Sequence, residues 1–82
     1  MENRRIPVRP RTLKGGRIVF NQNFSTVNCI IRNLTEDGAK LEVEGTVTIP
    51  NRFRLVFDSG GPDRECEVRW RDDKFLGVMF VR

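Results

Sequence analysis

The sequence predicts an all-β domain: a six-stranded antiparallel β-barrel preceded by an extended, basic N-terminal arm. Three observations carry this. Apolar and polar residues alternate with period two along most of the chain, and no window shows the i, i+3, i+4, i+7 spacing of an amphipathic helix. Turn-forming clusters, "NQNFS", "TEDG", "GTVTIPN", "DSGGPD" and "DDK", punctuate the alternation at short, regular intervals. Closing such strands into a barrel removes the sheet edges that would otherwise template aggregation.

Residues 1–14 read as the arm and residues 15–82 as the barrel domain. Pro7 and Pro10 each push the preceding residue away from helical geometry, so the arm should be extended. In the first strand, "GRIVFN", Ile18 and Phe20 share a face. The second, "TVNCIIR", buries Val27, Cys29 and Ile31, and the third, "GAKLEVEG", buries Ala39, Leu41 and Val43 opposite Lys40, Glu42 and Glu44. In the fourth, "RFRLVFD", Phe53, Leu55 and Phe57 face inward. Continued alternation in the fifth, "ECEVRWR", buries Cys66, Val68 and Trp70 and sends Glu65, Glu67, Arg69 and Arg71 to solvent. The sixth, "FLGVMFV", is apolar on both faces, with Leu76, Val78 and Phe80 on one and Phe75, Met79 and Val81 on the other. Either barrel curvature or the arm covers the second face, or it joins two copies into a homodimer.

The 82 residues suffice for one domain, near the lower limit for a core without disulfides or metal. Cys29 and Cys66 lack metal-ligand spacing, and the chain contains no His, so buried free thiols are expected and neither metal nor cofactor. Unpaired thiols, and the lack of a signal-peptide pattern or an apolar run long enough to span a bilayer, point to the cytoplasm. An enzyme is not expected. There is no His to act as base, no nucleotide-binding glycine loop, and the pairs Glu65/Glu67 and Asp72/Asp73 read as solvated surface.

Charge is unevenly spread. Residues 1–17 carry Arg4, Arg5, Arg9, Arg11, Lys14 and Arg17 against Glu2 alone, so the whole formal excess of +4 resides there. A compact anion meeting one end of the domain is the natural partner. Most of the cations are Arg, whose planar fork suits phosphate oxygens and guanine edges. Within "RRIPVR", Arg5 and Arg9 stand about 13 Å apart in a fully extended chain, enough to reach separate groups of one ligand. In "NLTEDG", Asp37 and Gly38 fit a hairpin turn, with Asn33 or Thr35 capping a backbone group. The same turn offers an amide, a hydroxyl and an unhindered backbone to a base or phosphate.

Together these segments resemble the paired motifs of the PilZ domain family, an RxxxR in the N-terminal arm and a [D/N]xSxxG between the second and third strands. "LKGGRIVF" and the closing "VRWRDDKFLGVMF" extend the likeness through nearly the whole chain. The resemblance implies a six-stranded antiparallel barrel that binds the bacterial second messenger cyclic di-GMP. Carried over position by position, it assigns Arg5 and Arg9 to the arginine pair, Asn33 to the amide, Thr35 to the hydroxyl and Gly38 to the closing glycine. Arg4 is an additional candidate for phosphate contact. Thr35 departs from the family Ser by a methyl group, and the chain stops where many relatives carry a C-terminal helix.

The expected function is therefore a cyclic di-GMP receptor whose arm is reorganised by ligand and then engages a downstream protein. The alternative is a degenerate module that binds protein but no nucleotide. DNA, RNA and membrane are not expected as partners, because Phe20, Phe53, Phe57, Trp70 and Phe80 all fall on the inward register and leave no aromatic stripe outside.

Overall fold

The computed structural model describes residues 14–81. Six antiparallel strands follow one another: β1 (Lys14–Phe20), β2 (Ser25–Leu34), β3 (Gly38–Glu42), β4 (Arg52–Phe57), β5 (Arg64–Arg71) and β6 (Phe75–Phe80). They close into a barrel in the order β1-β2-β3-β6-β5-β4. Hairpins make four of its neighbouring pairs, and β3–β6 and β1–β4 pair across longer stretches of sequence. The all-β reading and the barrel are thereby borne out. Among the described residues no helix is long and apolar enough to cross a membrane.

Alternation explains the core. Ile18, Cys29, Ile31, Leu41, Phe53, Leu55, Cys66, Leu76, Val78 and Phe80 are all buried on the inner face, as their strand positions require. Both cysteines are free and buried. The β3–β4 connection, which in sequence reads as a plain turn, adds Ile49 to the core and buries the polar Thr46. Thr46 is satisfied there, because its hydroxyl donates to Asp72 O at 2.5 Å.

Trp70 departs from the expected register. It is 48% exposed, on the outer face. The cause is a bulge in β5: Val68 pairs with Val78, but the next pair is Trp70 with Gly77, which leaves Arg69 as the extra residue. Every side chain beyond the bulge changes face. Arg71, expected outside, now stands opposite the buried Leu76 and turns its guanidinium across the mouth of the barrel. A second bulge, between Ile31 and Asn33 in β2, makes Arg32 the extra residue and brings Asn33 opposite Lys40. Arg32 is held by Glu42, Nη1 to Oε1 at 3.1 Å.

Antiparallel order distributes the connections between the two ends. The start of β1, the β2–β3 turn, the β4–β5 loop and the end of β6 share one end, where Asp58 N donates to Gly15 O and Phe80 N to Asp37 O. The opposite end is closed by the β1–β2 turn, the β3–β4 connection and the β5–β6 turn, with Val43 N donating to Lys74 O.

Candidate functional site

The β2–β3 turn is built around Thr35. Its backbone N–H donates to Gly38 O at 2.9 Å, and its hydroxyl accepts from the N–H groups of Asp37 and Gly38, each at 3.2 Å. The same hydroxyl lies 3.3 Å from Gly38 O, to which it donates. Thr35 thus organises the turn as a local side-chain cap, one of the two roles its sequence allows. Gly38 serves close approach: a β-carbon there would collide with the carbonyl oxygen of Val78 on β6.

The two bulges set the outer surface beside this turn. Asn33 pairs with Lys40, Lys40 with Gly77 and Gly77 with Trp70, so four adjacent strands present one transverse outward row. Gly77 has no side chain, and Trp70 lies over it so closely that a β-carbon would collide with the indole. The outcome is a shallow groove of about 320 Å³ lined by Thr35, Gly38, Lys40, Arg69, Trp70 and Met79, among others. Lys40 Nζ sits 4.7 Å from the centroid of the Phe75 ring, partly covering the outer face of β6. Arg69 and the Trp70 indole N–H make no hydrogen bond to another side chain among the described residues, leaving a guanidinium and an aromatic surface at the groove. A second recess, formed by Lys14, Ile31, Arg32, Asn33 and Leu34, lies where the chain enters β1.

Of the sequence-predicted site residues, Asn33, Thr35 and Gly38 are gathered at one end of the barrel, the end at which β1 begins. Arg4, Arg5 and Arg9 lie outside the described residues. Sequence reasoning missed Lys40, Arg69 and Trp70. Lys40 and Arg69 read in sequence simply as solvated positions, and strict alternation hides Trp70, because only the bulge carries it outside. The signal that could have found it is Gly77, a glycine within a strand, which marks a close approach.

A family model for the PilZ domain matches residues 3–82, essentially the whole chain. The chain belongs to the PilZ domain family. No curated protein matches this PilZ domain significantly, and neither does any solved structure. Among the described residues of the PilZ barrel no cluster of His, Cys, Asp or Glu could hold a metal ion. The chemistry the groove offers is recognition: a stacking surface, two cations and a turn of polar groups.

Proposed function

We propose that this PilZ domain is a non-catalytic receptor for cyclic di-GMP. The ligand is gripped by Arg5 and Arg9 of the arm, with Arg4 as an added phosphate contact, against Asn33, Thr35 and Gly38 of the turn. Trp70 supplies a face on which a guanine stacks, and Lys40 and Arg69 neutralise phosphate. The observation that carries the reading is the outward row Asn33, Lys40, Gly77, Trp70, which leads from the motif turn to an exposed indole. One indole in a small groove suits a ligand with few bases, whereas a single-stranded polymer calls for a succession of stacking platforms.

Function as a receptor follows from the arm's position in the chain. The residues ahead of β1, 1–13, carry the arginine pair, so ligand that engages both arm and turn ties one to the other. The reorganised arm changes the surface offered to a downstream protein.

Isothermal titration calorimetry with cyclic di-GMP tests this, with GTP as control and Arg5→Ala and Arg9→Ala beside the unaltered chain. The expected result is saturable heat absent with GTP and lost in either variant, with the thermal midpoint of the empty protein nearly unchanged. Absence of heat from the folded, unaltered protein would overturn the reading in favour of a module that binds protein alone.

A further inference from the structure

We infer that Arg71, anchored on Asn51, is the positioning residue that holds Trp70 on the outer face of the barrel. Its consequence for nucleotide binding rests on the proposed function; the placement of the indole does not.

Two registers compete in β5. Regular alternation beyond Val68 would pair Trp70 with Leu76, burying the indole and carrying Arg71 to the opposite face. The bulged register instead pairs Trp70 with Gly77 and Arg71 with Leu76. It withdraws the chain's one Trp from the core, so something must favour it. Gly77 leaves room for the indole but does not draw it there.

The β3–β4 connection supplies the drive by gripping β5 on both sides of the bulge. Before it, Val68 N donates to Asn51 O at 2.8 Å. After it, Arg71 Nη1 donates to Thr46 O at 2.7 Å and Ile49 O at 2.9 Å, and Nη2 donates to Asn51 Oδ1 at 2.9 Å. Asn51 therefore brackets the bulge, through its backbone carbonyl on one side and its side-chain carbonyl on the other. Thr46 and Ile49 are buried, at 4% and 2% exposure, so their carbonyls sit at a closed barrel end. A slip to the regular register would carry the guanidinium to the other face and leave these part-buried acceptors without their charged donor. The planar fork serves the two sides of the site from two separate nitrogens, a fixed geometry that a single ammonium nitrogen lacks.

The test uses the full chain without ligand and reads Trp70 itself by emission maximum and acrylamide quenching. Arg71→Met keeps an apolar stem of similar length and removes every donor. The expected result is a blue-shifted emission and a several-fold fall in quenching as the indole leaves the surface, with Arg71→Lys between Met and the unaltered protein. A folded Arg71→Met with unchanged emission and quenching would overturn the inference. If Arg71→Met fails to fold, Asn51→Ala removes one acceptor and should split the Trp70 fluorescence lifetime into two populations; a lifetime like that of the unaltered protein would equally overturn it. Calorimetry with cyclic di-GMP then separates the two readings. Heat from the unaltered protein that weakens in Arg71→Met joins them, whereas no heat from the unaltered protein removes the proposed ligand and leaves the fluorescence result to decide on Arg71.

Discussion

Trp70 lies over Gly77 on the outside of the barrel, so closely that the glycine's missing side chain is what makes the arrangement possible. An aromatic residue expected in the core is thereby placed on the surface beside the motif turn.

Gly77→Ala should displace the indole, lower stability by about 1–3 kcal/mol through overpacking, and weaken cyclic di-GMP binding. Trp70→Ala should abolish stacking yet keep the fold. A half-exposed side chain has far less to lose than the about 3–5 kcal/mol of a buried aromatic. Thermal unfolding and calorimetry of both variants check this, and a Trp70→Ala protein that failed to fold would return the residue to the core.

Thr35→Ser should leave the turn intact, because the hydroxyl that accepts from Asp37 N and Gly38 N is retained. Thr35→Val removes it and should cost about 1 kcal/mol at this exposed position. Nucleotide affinity should be preserved or improved in the Ser variant and reduced in the Val variant. Equal affinities would remove the hydroxyl from the site.

The β1–β2 turn runs through three consecutive non-glycine residues of positive φ, Asn21 (55°), Gln22 (55°) and Asn23 (74°). Asparagine tolerates this region and glutamine does not, at a cost of about 1–2 kcal/mol. Gln22→Gly relieves the strain and gives part of it back as unfolded-chain entropy, so a gain of about 0.5–1 kcal/mol is expected in urea denaturation. A lowered midpoint would contradict it.

Burial pushes both thiols up from an ordinary value of 9.0 to about 12, with Asp58 adding to the effect at Cys29 and Glu65 at Cys66. The folded chain therefore holds these protons more tightly than the unfolded one. Their contribution to stability is complete below pH 9 and is lost as pH rises from about 9 towards 12, by at most about 1.4 kcal/mol per thiol per pH unit. Urea midpoints across this range should fall accordingly, and iodoacetamide at pH 8 should label neither thiol until the chain unfolds.

Much of the fold was legible in residue order. Period-two alternation identified the inner faces of β1 to β4 and of β6, because a strand with one buried face must alternate. The turn holding Asn33, Thr35 and Gly38 was legible from its turn-forming residues. Ile49 was not, because an apolar residue inside a loop has no periodicity to betray its burial. Trp70 was misread for a related reason: a single extra residue in β5 reverses every later face and leaves composition unchanged, whereas Arg69 and Arg71 are exposed as alternation expects.

The sequence by itself determined that this chain makes a β-barrel, that its positive charge gathers ahead of the first strand, and that a polar turn follows the second. All three depend on neighbouring residues alone. Only the tertiary structure decided which surface that turn adjoins. β3 pairs with β6, and a loop far along the chain satisfies Arg71, so Trp70 and Lys40 come to share a face with Asn33. Hydrogen bonds between distant segments set that register, and local alternation carries no record of them.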